Sequence, residues 1–152
     1  MINLERKIWF DMDGTIADLY GVENWLNDLR SEVSRPYKIA KANVNLSLLA
    51  RYLNKLKNSG YKIGVISWTS MQASKEYEKE VAAAKIHWLI NHLPSVWFDE
   101  VNIVPYGTEK NFFNCGNDLL FDDDVRVRNN WTGESYPPEQ MFEVLHRLIL
   151  AL

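Results

Sequence analysis

Cysteine is almost missing from this chain of 152 residues: Cys115 stands alone. That excludes an internal disulfide and any multi-cysteine metal site, and the residue reads as a small buried filler. Histidine is scarce as well. His87 and His92 lie five apart on one predicted helix, which separates their faces, and His146 belongs to another helix, so no zinc centre assembles from them. Positive charge is not in excess, with 17 Lys plus Arg against 20 Asp plus Glu and a net charge of -3. This argues against broad attraction to polyanions and leaves room only for a local basic site. The segment Met1 to Lys7 is polar and charged. It reads as neither a signal peptide nor a membrane span, which makes cytoplasmic residence the expectation and a membrane partner not expected. There is no internal repeat, no low-complexity tract and no linker long enough to divide domains. One domain over 1–152 is expected, long enough to bury a sizeable core, with an ordinary soluble composition of 47% hydrophobic and 24% charged residues.

What is present is an alternation of short apolar runs with helical patterns. Ile8 to Phe10, Lys62 to Ser67, Val101 to Val104 and Leu119 to Phe121 are each short, apolar and bounded by polar or turn residues, which predicts strands. Gly133 to Tyr136 adds a weaker edge-strand pattern. Helical spacing recurs in Val22, Trp25, Leu26, Leu29 and Val33, and again over Leu46 to Lys57, the latter stopping at Gly60. Met71 to His92 predicts one long helix ended before Pro94, and Pro137-Pro138-Glu139 opens a last one. Strands separated by helices imply a three-layer α/β/α, Rossmann-like domain around a mostly parallel sheet. Ligands of such sheets bind outside the carboxyl ends of the strands.

At the first of those ends stands Asp11-Met12-Asp13-Gly14-Thr15. Two carboxylates two residues apart on a turn repel and raise each other's pKa unless a cation lies between them. A hard cation such as Mg2+ takes oxygen ligands and would leave one carboxylate oxygen free to attack phosphorus. The plain alternative is a loop acid beside an Asp-Gly turn. An EF-hand fits worse, since it needs Gly at loop position six and Glu at twelve, where this segment has Gly14 fourth and Val22 twelfth. Ser67, Lys110 and Asp122-Asp123-Asp124 end or follow later strands. Separately they read as a helix cap, a solvated lysine and an acidic loop.

In this order and placement the segments resemble the four motifs of the haloacid dehalogenase superfamily of phosphohydrolases, spread over nearly the whole chain. The resemblance implies that Asp11 is a nucleophile forming an aspartyl-phosphate and that Asp13 protonates the leaving group and then activates water. It implies that Ser67 binds a phosphoryl oxygen and that Lys110 balances charge on the nucleophile and phosphoryl group. It also implies a Mg2+ ion held by Asp11, the backbone carbonyl of Asp13 and Asp122, with Asp123 acting directly or through water and Asp124 outside the ligand set. Gly14 and Thr15 complete the first motif and join Trp68 as expected substrate contacts. Thr69 and Ser70 replace Ser67 if the strand ends later. The dehalogenases themselves lack an acid two residues after the nucleophile, so Asp13 favours phosphoryl chemistry. A receiver domain uses similar residues in a different order.

The stretch from Ile16 to Ile66 must hold two helices and a loop, and that from Trp68 to Glu109 one helix and one strand. Only a rudimentary cap fits, at about 18–45, and the site is expected to be rather open, covered by the Val22 to Val33 helix or a neighbouring subunit of a homo-oligomer. Trp25 and Trp68 are the aromatics nearest to it, or else core residues. Size and the Asp-Met-Asp-Gly-Thr form look similar to minimal superfamily members related to 5'(3')-deoxyribonucleotidases, whose fuller cap is missing. The expected substrate is a small phosphomonoester such as a nucleotide. The alternatives are a 3'-phosphatase acting on nucleic-acid ends and a noncatalytic binding protein of the same fold.

Overall fold

The computed structural model of the protein describes residues 6–152, so the reading of the chain's start falls, up to residue 5, outside the described residues. Five strands form one parallel sheet: β1 (Lys7–Phe10), β4 (Lys62–Trp68), β5 (Glu100–Val104), β6 (Leu119–Phe121) and β7 (Ser135–Tyr136). Their spatial order is β5-β4-β1-β6-β7, every neighbouring pair parallel. The strand with the first acidic motif is therefore central. This is the expected α/β, Rossmann-like architecture with helices on both faces.

Alternation along the strands sorts the core. Ile8, Phe10, Ile63, Val65, Leu119 and Phe121 point to one face, against α3 (Leu46–Asn58), α4 (Lys75–His92) and α6 (Met141–Leu150). Trp9, Ile66 and Leu120 point to the other, against Val127 and Trp131 of and after α5 (Val125–Asn130). Gly64 pairs in register with Trp9, and a Cβ there would overlap the indole ring. The absent side chain lets Trp9 lie flat on the sheet while its Nε1 donates to Asp118 at 2.9 Å.

Between β1 and α3 lies a small insert. A two-stranded antiparallel ribbon, β2 (Ala17–Asp18) with β3 (Lys41–Ala42), brackets the short helices α1 (Trp25–Arg30) and α2 (Arg35–Ile39). The predicted Val22 to Val33 helix is thus much shorter. It enters through left-handed Asn24 and ends with Glu32 at φ 56°, where the Val33 amide bonds Asp28 O and the Glu32 amide bonds Leu29 O, a Schellman closure. A non-glycine residue in that conformation costs about 1–2 kcal/mol. The Glu32 carboxylate offsets this by accepting from both the amide (2.7 Å) and the hydroxyl (2.8 Å) of Ser74, the N-cap of α4.

Several boundaries differ from expectation, the edge strand expected over Gly133 to Tyr136 being confined to Ser135–Tyr136. Strand β4 runs through Trp68, one residue beyond Ser67, because Ser67 and Trp68 still pair with Ile103 and Val104. Helix α4 starts at Lys75 instead of Met71, since Gln72 is left-handed and Ser74 supplies the cap. The last helix opens with a 3-10 turn, Pro138–Gln140. Cys115 is exposed rather than buried. Its loop is held through the Cys115 amide, which donates to the Asp118 carboxylate Oδ2 at 2.9 Å, and the thiol needs no interior place. Among the described residues no helix is long and apolar enough to cross a membrane.

Candidate active site

The carboxyl ends of β1 and β6 are joined by the turn that the first motif makes. The Asp11 amide extends the sheet ladder to Phe121 O at 2.9 Å, and then Met12 O gathers the amides of Thr15, Ile16 and Ala17, each at 3.0 Å. Gly14 takes φ 78°, and a Cβ on it would overlap the Asp123 carboxylate. Thr15 is fully buried. Its hydroxyl donates to Asp11 Oδ2 at 3.1 Å and accepts from the Asp123 amide at 3.2 Å. Both residues therefore shape the acidic loops and hold them together.

Lys110 opens a short 3-10 turn after β5 and reaches back under the sheet end. Its ammonium, buried to 3% exposure, donates to Asp11 Oδ1 at 3.0 Å and Asp122 Oδ2 at 2.7 Å. Burial opposes its charge, but the two aspartates outweigh this and raise its pKa. Asp122 is buried, Asp123 exposed, and Asp124 caps α5 and pairs with Arg126 at 2.9 Å. Burial first and the Asp11 charge next push the Asp122 carboxyl up to about 6. Asp123 is exposed as a residue, but its carboxylate lies against Gly14, and loss of water there, followed by the Asp11 charge, pushes it up to about 8.

Asp11, Asp122 and Asp123 can each offer an oxygen within 4.8 Å of the others. These are hard donors of the kind Mg2+ takes. Lys110 is one ammonium bonded to two of these three carboxylates, so the donor set fits a divalent cation. The Asp13 carboxylate is not part of that group.

The Asp13 side chain is engaged elsewhere. Lys85 of α4, 1% exposed, donates to Asp13 Oδ2 at 2.7 Å, to Ser67 Oγ at 2.6 Å and to Trp68 O at 2.7 Å. Desolvation raises the Asp13 carboxyl above the ordinary range, Lys85 pulls against this, and the Asp11 charge adds to it. Ser67 is fully buried beneath Lys85, whereas Thr69 and Ser70 line the neighbouring cavity. Sequence reasoning missed Lys85. The available signal was its place on the predicted helix, four residues after Val81 and three before Trp88, within the apolar stripe.

The cavity above these groups measures about 530 Å³. Its floor includes Asp11, Asp13, Lys110, Asp122 and Asp123, and the insert supplies a wall with Tyr20, Trp25, Leu29 and Tyr37. The insert is pinned over α4 and the loop before it: Tyr37 Oη meets Ser70 Oγ at 2.5 Å, Tyr77 Oη donates to Val33 O at 2.8 Å and Trp88 Nε1 to Ala40 O at 2.8 Å. Trp68 also lines the cavity. Its ring carries Lys110 Nζ at 5.1 Å from the centroid, meets Tyr106 at 4.9 Å, and is fixed through Nε1 to Thr108 O at 2.9 Å.

No family model and no curated protein sequence matches the chain. Among solved structures, the D,D-heptose 1,7-bisphosphate phosphatase from Burkholderia thailandensis is similar to it, with a TM-score of 0.51 over 82% of this chain and 70% of that one at 15% identity. At that identity the likeness is one of fold, and it agrees with the parallel α/β sheet described above.

Proposed function

We propose that the protein is a Mg2+-dependent phosphomonoester hydrolase of haloacid dehalogenase type, working through a phosphorylated Asp11. One observation carries this reading: Lys110 bridges Asp11 and Asp122 at 3.0 and 2.7 Å, with Asp123 in reach, at the carboxyl end of the central strands. A fold shared with a sugar-bisphosphate phosphatase is consistent with it. Asp11, Asp122 and Asp123, with the Asp13 carbonyl, would hold the cation, which when bound neutralises charge on the carboxylates and phosphoryl oxygens.

An Asp11 oxygen attacks phosphorus and the P–O bond to the leaving group breaks, while Asp13 gives its proton to the departing oxygen. The Asp13 carboxylate then takes a proton from water, whose oxygen attacks phosphorus and returns Asp11 free with inorganic phosphate. Thr15 orients Asp11 throughout. Lys110 balances the charge that shifts between nucleophile and phosphoryl group. Thr69 and Ser70 line the cavity and Ser67 does not. The Thr69 hydroxyl donates to Glu78 at 2.9 Å, which leaves Ser70, paired with Tyr37, as the hydroxyl that would meet a phosphoryl oxygen.

The cavity volume suits a small substrate, and its aromatic walls favour a nucleoside monophosphate over an aliphatic phosphate. Arg30 of the insert and Arg126 of α5, which also line the cavity, favour a second reading, a phosphatase for nucleic-acid 3' ends. Turnover of para-nitrophenyl phosphate with Mg2+, abolished by EDTA and by Asp11→Asn, tests the chemistry; full activity of Asp11→Asn overturns it. A panel of nucleotides, sugar phosphates and 3'-phosphorylated DNA separates the substrates, with steep salt dependence expected for DNA ends alone.

A further inference from the structure

Lys85 is a charge where the fold has no need of one. Around it on α4, Val81, Ala84, Trp88 and Leu89 are buried, and an apolar residue in its place would pack without the desolvation that a buried ammonium suffers. Its three N–H donors meet three acceptors: Asp13 Oδ2, Ser67 Oγ and the carbonyl of Trp68, the last residue of β4. The ring of Tyr37, from the insert, lies 5.1 Å from the same nitrogen. One ammonium thus ties together the first-motif turn, the end of β4 and the insert.

We propose that Lys85 is a positioning residue for proton transfer, a clamp that fixes the Asp13 carboxyl so that Oδ1 faces the substrate. This rests on the reading of Asp13 as the group that protonates the leaving oxygen. Among the described residues Lys85 is the one side chain hydrogen-bonded to that carboxyl, and it occupies Oδ2. The proton to be delivered therefore belongs on Oδ1, at the cavity that Asp13 lines. The other two acceptors, Ser67 Oγ and Trp68 O, are parts of the sheet end itself. The clamp consequently registers the acid against the rigid scaffold instead of leaving it on a free turn. Ser67 acts here as an anchor for the clamp.

Leaving-group dependence reads this directly, because glycerol 2-phosphate needs a proton on its departing alkoxide and para-nitrophenyl phosphate does not. The ratio of kcat/KM on the first to kcat/KM on the second, which reports the steps up to departure of the leaving group and not the hydrolysis of the shared Asp11-phosphate, should fall by about 10²–10⁴ in Asp13→Asn. In Lys85→Met it should fall by about tenfold or more. In the Asp13→Asn background, adding Lys85→Met should leave the ratio within about twofold, since Lys85 works through Asp13. If Lys85→Met does not fold, Lys85→Arg retains the buried charge but its planar fork cannot match the three acceptors, and the ratio should fall there too. Equal losses on both substrates in the Lys85 variants would overturn the clamp and make Lys85 a structural residue. An unchanged ratio in Asp13→Asn would instead overturn the role of Asp13 itself, and the clamp with it.

Discussion

Replacing Lys110 with Met takes away the ammonium that Asp11 and Asp122 share while keeping most of the side-chain volume, so the consequence is electrostatic. At an effective dielectric near 20, each of its contacts is worth about 6 kcal/mol of attraction before desolvation is subtracted. The net cost of removing one partner from such a buried cluster is about 3–5 kcal/mol. Urea denaturation at neutral pH in EDTA should show a loss of that size. Saturating Mg2+ should shrink the loss to less than about half, because Asp11 and Asp122 then face another cation. Turnover of para-nitrophenyl phosphate should fall by about 10²–10³ even with Mg2+, since the ammonium also balances the phosphoryl charge. A loss below about 1 kcal/mol in EDTA would refute the buried three-charge cluster. The same loss with and without Mg2+ would refute the sharing of those carboxylates with a metal.

Gly14→Ala should lower stability by about 1–2 kcal/mol through its positive φ. By pushing the Asp123 carboxylate aside, it should also raise the Mg2+ concentration for half-maximal activity by about tenfold or more. An unchanged Mg2+ requirement would show that Asp123 stays outside the metal's reach. Stability should also depend on pH with a definite sign. Asp122 and Asp123 titrate at about 6 and about 8 in the fold without metal, against about 3.9 unfolded. The folded chain thus holds protons that the unfolded chain releases; that stabilisation is complete below the unfolded value and is lost as pH rises through 6 and 8. The Tm gained on adding Mg2+ should accordingly widen from about pH 5 to about pH 9, and a constant gain would show that these carboxyls do not meet the cation.

The sheet was legible because its strands alternate with helices at a period that the apolar residues state openly. Ile8 to Phe10 and Leu119 to Phe121 are buried runs with polar ends, and their burial is close to complete. What escaped were the positions where a local bond outweighs a pattern. Val22 to Val33 has helical spacing, yet the ribbon of β2 and β3 and the left-handed residues at Asn24 and Glu32 confine the helix to Trp25–Arg30. Nothing in the periodicity reveals that Glu32 is worth its strained backbone, because its partner Ser74 lies 42 residues away.

The acidic motifs were legible for a related reason: Asp11 and Asp122 follow apolar strands directly, and adjacent parallel strands bring their ends together. Lys110 could be placed by order alone, since it follows the strand β5. Where the side chains of Ser67 and Lys85 lie could not be read from either residue in isolation. A strand's final hydroxyl points to the cavity or into the core according to a single residue of register, and β4 ends one residue later than its pattern suggests. A lysine inside a helix is assigned to solvent by charge, and only the convergence of Asp13, Ser67 and Trp68 O from two other segments makes its burial affordable. The charge and its acceptors explain each other. Ser67 needs no phosphate to account for its hydroxyl, and Asp13 needs no metal to hold its carboxyl. On the proposed function the cation would be held by Asp11, Asp122 and Asp123 with the Asp13 carbonyl, and the Lys85 and Lys110 variants would then be independent probes of the proton and of the phosphoryl charge.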